Sequence, residues 1–595
     1  MKKLRIAKVI LPIALEREFD YSIPDSFNVK LGSRLLVDFR GIKTVGILSE
    51  IVHNSAIEKI KPVIEVLDTN PALSQDAIKF AKQLSEYYPY PLGEFLFMML
   101  PGYLKKPRPT DLPSFEKETN VNIPQNLFVK AETFEKRYGI WKKFVINKLK
   151  LGSVLIILPQ ISYLNEAKKI IEKDFPDLKV MHGYQTEKEL FQGWLSTRKN
   201  SLILGSRMAL FYYPYDLELV IIEEENSSYY FQEEKPFYHL FDVVSMLSKA
   251  KKIDIIFGAG YPSISAYNLI SQKRLKLDEN DEHQKEIKIV NIGEYKRQLI
   301  SPLLVELLNK SLSSGQRNVI MWNKTGFGSY LACSSCGYIF KCERCSTFLK
   351  QSLTRNKGIC PSCGLQRDLS KICKLCNSGY IRSAGCGIER IESSLKKIFP
   401  DIKIDEWEKK APDTQIILAT SKILSTIYGS EKFDNGFFLD ADYQMSRLDY
   451  DATFDTYTYL KKLNCLFREN IYVFTRNKNH YLFKTINEPW KHFYDKELLS
   501  RKELKLPPYG ALVQITLRAR SAERVFERSN RLFRELTDKG FDVYGPLKEQ
   551  PFKLRGKFRY YIIMKSKDGY RLRKEIKQIA KGVRSQGIQM AIAIH

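Results

Sequence analysis

Leu219-Val220-Ile221-Ile222-Glu223-Glu224-Glu225-Asn226 is an apolar run too short for a helix, closed by four polar residues. Such a run reads as a strand buried on both faces. Working outward, runs of the same kind recur at Ser153–Leu158, Ser201–Leu204 and Ile253–Phe257, with helical patterns between them. Strands alternating with helices predict a parallel sheet covered by helices. This unit is expected to span 128–290. A second unit of the same kind is expected over 291–488, with strands including Asn318–Trp322, Gln415–Leu418, Gly436–Leu439 and Ile471–Thr475. The fold class is therefore α/β over the middle of the chain.

The flanks read differently. Residues 1–105 carry short β-type runs, Lys8–Ile13, Ser33–Phe39 and Thr44–Ile51, then a helix near Gln75–Tyr87. Pro107, Pro109, Pro113 and Pro124 mark 106–127 as a linker. Residues 489–595 read as a final α+β unit. There is no internal repeat.

The chain has 595 residues, 95 Lys+Arg against 68 Asp+Glu, and a net charge of +27. The segment Arg501–His595 holds 23 of the basic residues and 9 of the acidic ones, a balance of +14. About half of the excess therefore lies in the last sixth of the chain. In Arg555-Gly556-Lys557-Phe558-Arg559-Tyr560 the basic residues alternate with rings. Cations hold phosphates and rings stack on bases, so Arg555, Lys557 and Arg559 are expected to bind nucleic acid.

No apolar run approaches the roughly 18–20 residues that cross a bilayer. The apolar stretch Val9–Leu15 is broken by Pro12 and lacks a small-residue cleavage site, unlike a signal peptide. A cytoplasmic, nucleoid-associated protein without membrane contact is expected. Eight of the ten cysteines fall between Cys333 and Cys376, which is not the spread of a secreted disulfide scaffold. They form four Cys-x-x-Cys pairs, Cys333/Cys336, Cys342/Cys345, Cys360/Cys363 and Cys373/Cys376. Two pairs close one tetrahedral site, so eight thiolates suit two structural zinc ions. Iron–sulfur ligation and redox dithiols are the alternatives, and spacing alone leaves the pairing open. Gly337 and Gly364 favour knuckle turns. Cys386 and Cys465 read as core thiols.

These residues resemble one family, primosomal protein N′, the PriA-type replication-restart DNA helicases. The N-terminal matches are Phe19-Asp20-Tyr21-x-x-Pro24, Gly32-Ser33-Arg34, Val45-Gly46-Ile47 and Tyr87-Tyr88-x-x-Pro91-Leu92-Gly93. Leu158-Pro159-Gln160-Ile161-Ser162 and Gly205-Ser206-Arg207-x-Ala209-Leu210-Phe211 match the first lobe. Asn323-x-x-Gly326-Phe327 opens the zinc motif, and Leu506-Pro507-Pro508-Tyr509 opens the C-terminal domain. The resemblance implies two RecA-like helicase lobes, the second carrying a double zinc-ribbon insertion at 331–378. A β-rich 3′-DNA-binding domain (1–105) and an α+β DNA-binding domain (489–595) flank them. It implies that Cys333, Cys336, Cys373 and Cys376 share one zinc, and Cys342, Cys345, Cys360 and Cys363 the other. It also implies that Phe19, Asp20, Gly32 and Lys61 hold a 3′-terminal nucleotide. The implied partners are forked or single-stranded DNA, the single-stranded DNA-binding protein and primosome proteins, and a monomer is expected.

The ATPase motifs depart from the family. No G-x-x-x-x-G-K-[ST] loop occurs. Its expected place is Lys130-Ala131-Glu132-Thr133-Phe134-Glu135-Lys136-Arg137, where Lys136 takes the loop lysine's position and the glycines are gone. The family's D-E-E-H reads Glu223-Glu224-Glu225-Asn226, and its G-S-A-T-P reads Gly258-Ala259-Gly260-Tyr261-Pro262. The arginine-finger motif reads Lys461-Lys462-Leu463-Asn464-Cys465-Leu466-Phe467-Arg468, with no glycine–arginine repeat. The resemblance implies ATP and Mg2+ as cofactors, and the residues at these positions speak against both. Lys136, Glu223 and Glu224 are the degenerate catalytic positions. The family's winged helix does not fit in the linker and is expected to be missing. Three readings follow: a DNA-binding replication-restart factor defective in ATP hydrolysis, an active 3′-to-5′ helicase with divergent motifs, and a zinc-ribbon RNA-binding or structural protein.

Overall fold

The computed structural model describes residues 5–114, 124–197, 200–280, 285–293, 300–322, 330–336, 338–343, 348–351, 357–360, 365–369, 372–373, 375–377, 381–384, 388–426, 431–439, 441–447, 449–583 and 588–594. The chain divides into two units, Met1–Asn280 with Tyr570–Ala580 and Ala593–His595, and Asp281–Gly569 with Lys581–Ile592.

The first unit begins with an antiparallel sheet of strands Ile6–Ile10, Phe19–Ser22, Arg34–Phe39, Ile42–Val52 and Glu65–Val66. Alternate residues such as Ala7, Val9, Leu35, Val37 and Leu48 fill its core. A bridge between Ser22 and Pro62 brings the far edges of the sheet together, and Ser22 N–H donates to Lys61 O. The helix Gln75–Tyr87 follows, N-capped by the Ser74 side chain on Ala77 N–H.

The same unit contains a seven-stranded parallel sheet. Its strands run in the order Lys276–Glu279, Asn126–Lys130, Asp254–Ala259, Leu217–Glu223, Ser153–Ile157, Leu202–Gly205, Lys179–Met181. Ser153–Ile157 and Leu217–Glu223 are buried at every residue. That is why they carry no polar alternation: helices cover both faces. The short edge strands Lys179–Met181 and Lys276–Glu279 lack such runs.

The expected linker is bound in its first part. Arg34 is fully buried, pairs with Asp68 at 2.7 Å, and donates to the carbonyls of Leu104, Lys106 and Arg108. Thr110 forms a bridge with Asp68. Residues 104–110 are thus tied back onto the N-terminal sheet, and prolines here mark an extended strap. Residues 115–123 lie outside the described ones.

The second unit holds a six-stranded parallel sheet. Its order is Ile287–Asn291, Phe467–Thr475, Phe433–Phe438, Asn318–Met321, Ile416–Ala419, Ile404–Glu406. Leu304, Leu308, Ile320, Ile391, Leu395 and Phe437 are among its core residues. Two small sheets build the cysteine-rich insertion, Tyr330–Cys333 with Ile381–Ala384, and Lys350–Gln351 with Lys357–Ile359 and Gln366–Asp368. A C-terminal sheet has the order Asp542–Leu554, Lys557–Ser566, Ala511–Ala519, Gln589–Ile594.

Candidate functional site

The strand Asn126–Lys130 leads through a three-residue turn into the helix Phe134–Leu149. Thr133 takes the N-cap position without a side-chain cap bond. Lys136, on the first turn, is exposed. Arg137, the next residue, is fully buried. Its Nε lies 2.7 Å from Glu223 Oε2 and its Nη2 2.7 Å from Glu224 Oε1. Its Nη1 donates to Ala131 O at 2.8 Å. Trp141, one turn along the same helix face, donates its indole N–H to Glu223 Oε1 at 2.8 Å. Both carboxylates at the end of the central strand are therefore engaged by one helix.

Gly258 makes this possible on the other side. It pairs with Glu223 in the neighbouring strand, and a Cβ there would lie 2.4 Å from Glu223 Oε1. Burial pushes the Glu223 carboxyl above its ordinary value, against the pull of Arg137. Glu224 bends the chain with a left-handed φ of 54°. Lys130, at the position of the loop's first glycine, is buried with its ammonium 5.6 Å from the Tyr261 ring. Tyr230 closes the floor by donating to Glu223 O and Ile157 O.

Glu225 turns the other way. Its carboxylate accepts from Ser263 Oγ at 2.6 Å and from Ser263 N–H at 3.0 Å. Burial lifts it to about 7, against those hydrogen bonds. Sequence reasoning missed Ser263, because it stands one residue beyond the motif that had lost its hydroxyls. At the arginine-finger segment, Lys461 is buried in the helix Ala452–Lys462. Arg468 is exposed on the strand Phe467–Thr475, 3.6 Å from Asp434.

The N-terminal candidates separate into a cluster and an outlier. Phe19 packs edge-on against Phe39, with ring centroids 5.1 Å apart, and Arg17 lies 4.7 Å over the Phe19 ring. Asp20 is held by Lys8 Nζ at 2.7 Å and Ser55 Oγ at 2.5 Å. Burial pushes its carboxyl up, but these donors outweigh burial and hold it below its ordinary value. Lys61 is half exposed and pairs with Asp38 at 2.9 Å. Gly32 is elsewhere. It precedes the strand Arg34–Phe39, whose five steps alone span roughly 17 Å, so it lies at the opposite end of that strand from Phe39. Its φ is 88°, and a Cβ would lie 1.9 Å from Leu73 O, so the glycine serves backbone packing. The glycine beside the cluster is Gly41, in the turn after Phe39. Its φ is 85°, its N–H donates to Asp38 Oδ1 at 2.8 Å, and no atom lies within 4 Å of a Cβ built there. The signal that could have found it is the turn sequence Arg40-Gly41 between two strand runs.

In the insertion, the sulfurs of Cys333, Cys336, Cys373 and Cys376 lie within 4.8 Å of one another. Cys333 and Cys376 are 3.5 Å apart, Cys336 and Cys373 3.9 Å. A tetrahedral ion with bonds of about 2.3 Å spaces its sulfurs about 3.8 Å apart. The N–H groups of Cys336 and Ser335 point at Cys333 Sγ and hold its thiol below the ordinary value. These four residues fit a metal ion. Cys342 and Cys360 are buried together in a small core with Leu331 and Leu349. Their expected companions Cys345 and Cys363 lie outside the described residues, as do Cys386, Gly337, Gly364 and Asn323–Phe327.

The C-terminal candidates sit on a hairpin. Leu554 pairs with Lys557, which leaves Arg555 and Gly556 as a two-residue turn, both with positive φ. Only such a turn matches the strand twist. Arg555 is exposed at the tip, and Lys557 donates to Gln589 Oε1. Arg559 is buried, donates to Pro551 O and pairs with Glu549, so it braces the hairpin from inside instead of facing solvent. Leu554 packs on the small core of the cysteine insertion and Lys553 donates to Glu343 O. The basic tip thus lies beside the cysteine module. No helix among the described residues is long and apolar enough to cross a membrane.

Residues 8–101 match the family described as 3′DNA-binding domain, and residues 502–594 the Primosomal protein N C-terminal domain. A curated protein of Rickettsia conorii, "Replication restart protein PriA", is 24% identical over 96% of this chain and 96% of its own. One of the same description from Borreliella burgdorferi is 25% identical over 88% of each. Among solved structures, RecG bound to a three-way DNA junction superposes with a TM-score of 0.35 at 10% identity, over 78% of this chain and 50% of that one.

Proposed function

From the premise that the chain is a PriA-type protein, we propose a DNA-binding factor of replication restart that recognises forked DNA or free 3′ ends and has lost ATP hydrolysis. The observation that carries the loss is the buried Arg137 guanidinium between Glu223 and Glu224. A P-loop ATPase holds Mg2+ with the residue after the loop lysine and with the acid at the end of the central strand. Here the residue after Lys136 is itself a cation, and both acids are engaged by it. Mg2+ and a triphosphate do not fit this set of side chains. The lobe serves as a scaffold.

DNA recognition rests on the two matched flanking domains and on the Phe19, Asp20 and Lys61 cluster, with Gly41 in place of Gly32. An exposed ammonium suits a phosphate, a carboxylate suits a base edge or terminal hydroxyl, and a bare glycine turn lets a nucleotide approach. Arg555 and Lys557 supply further phosphate contacts. The cysteine module would hold its zinc ions as structural cross-links, with Cys333, Cys336, Cys373 and Cys376 at one of them. Binding to the single-stranded DNA-binding protein and to primosome proteins, as a monomer, belongs to the same reading.

Two measurements test it. With forked DNA and Mg2+, no DNA-stimulated ATP hydrolysis is expected; a stimulated rate that vanishes in Lys136→Ala would overturn the loss. In competition between free-end, blocked-end and RNA ligands, Asp20→Ala is expected to abolish the preference for the free 3′ end more than it lowers overall affinity. Equal loss on all three ligands would remove the end-recognition part, and tighter binding of RNA would favour an RNA-binding protein.

A further inference from the structure

We infer that Arg137 is a resident cation standing where a P-loop enzyme keeps its divalent metal, so that the first lobe is locked by its own side chain in place of a nucleotide-bound metal. The inference rests on the reading of lost ATP hydrolysis. It goes beyond that reading by assigning the lost ion's electrostatic task to one residue.

Three observations meet at this place. Arg137 follows Lys136 directly, so it occupies the position whose hydroxyl ligates Mg2+ in a P-loop. Its guanidinium is fully buried and reaches both Glu223 and Glu224 at 2.7 Å, which joins the loop to the end of the central strand as a metal would. Its third contact is the carbonyl of Ala131, in the turn that would otherwise wrap phosphates. The fork of the guanidinium gives three directed N–H bonds, a geometry that a lysine or a surface pair cannot provide. Trp141 and Gly258 fit around Glu223 and leave its carboxylate directed at Arg137. An ordinary buried ion pair need not link these particular two elements. A surrogate ion must.

Replacing the guanidinium by a hydroxyl should restore a hard-oxygen site: Arg137→Thr leaves two carboxylates, a carbonyl and a hydroxyl facing one cavity, a donor set suited to a small divalent cation. The probe is Mn2+, and the measurement is the melting temperature of the full chain. Wild type is expected to show no shift with millimolar Mn2+ or with Mn2+ and ATP. Arg137→Thr is expected to melt lower than wild type in buffer without added divalent metal, which leaves the cysteine-bound zinc in place, and to recover roughly 4–8 °C when Mn2+ is saturating. The variant Arg137→Met with Glu223→Gln and Glu224→Gln, which removes all the charge, is expected to fold and to ignore Mn2+. Should Arg137→Thr not fold without added Mn2+, its refolding yield in zinc-containing buffer with Mn2+ against the same buffer without it gives the same readout, and equal yields overturn the inference. An Arg137→Thr chain that melts like wild type, or that Mn2+ fails to stabilise, overturns the surrogate ion alone. Stabilisation of wild type by Mn2+ and ATP overturns it together with the reading it rests on.

Discussion

At the residue scale, Glu225 illustrates how one buried carboxyl sets a pH dependence. Its value of about 7 lies above the ordinary 4.5, so the folded state binds the proton more tightly than the unfolded chain. The stability it contributes is full below about pH 4.5, falls as pH rises, and is gone above about pH 7. The glutamate therefore costs about 3 kcal/mol at pH 8. The neutral Glu225→Gln chain is expected to melt higher than wild type at pH 8 and level with it near pH 4.5. A thermal scan across that range checks this, and a gap that does not change with pH would contradict it. Arg137 shows the opposite arrangement on the adjacent carboxylates, where a partner is built in.

At the element scale, one buried arginine fixes a strap. Arg34 reaches across from its strand to Asp68 and to the carbonyls between Leu104 and Arg108. Removing one member of a fully buried pair costs about 3–5 kcal/mol. Arg34→Ala is expected to lower the stability of the N-terminal domain by that amount and to open residues 104–114 to limited proteolysis. Unchanged protease resistance would argue against the strap. The cysteine module makes a second prediction. Elemental analysis of the purified chain is expected to give two zinc ions, falling to one in Cys376→Ser. Chelation is expected to destabilise the hairpin tip as well, because Leu554 packs on that module's core. A protection change confined to the cysteines on hydrogen exchange would rule out that coupling.

At the scale of the whole molecule, the net charge of +27 now has a specific consequence. On the proposal that ATP hydrolysis is lost, no ATP cycle modulates affinity and phosphate contacts dominate binding. With roughly four such contacts, affinity for forked DNA is expected to fall about a hundredfold between 50 and 200 mM salt. The slope is expected to be the same with and without ATP. A nucleotide-dependent slope, read by fluorescence anisotropy, would contradict a scaffold role for the lobe.

The sequence alone determined the two parallel sheets. A strand buried on both faces carries a continuous apolar run, and Val154–Ile157 and Leu219–Ile222 are such runs inside the buried strands Ser153–Ile157 and Leu217–Glu223. It also placed the helix Gln75–Tyr87 and the cysteine pairs, since a cap, a period and a two-residue gap are local properties. The tertiary structure alone decided that Gly32 packs against the Leu73 backbone, that Arg559 is internal while Arg555 is not, and that Arg137 faces inward while Lys136 faces out. Each of these depends on a partner distant in the chain: Leu73 for Gly32, Glu549 across the hairpin for Arg559, and Glu223 for Arg137, 86 residues away. A charged or bare residue carries no mark of its burial in its own neighbourhood. What surrounds it is set by the fold that brings its partner to it.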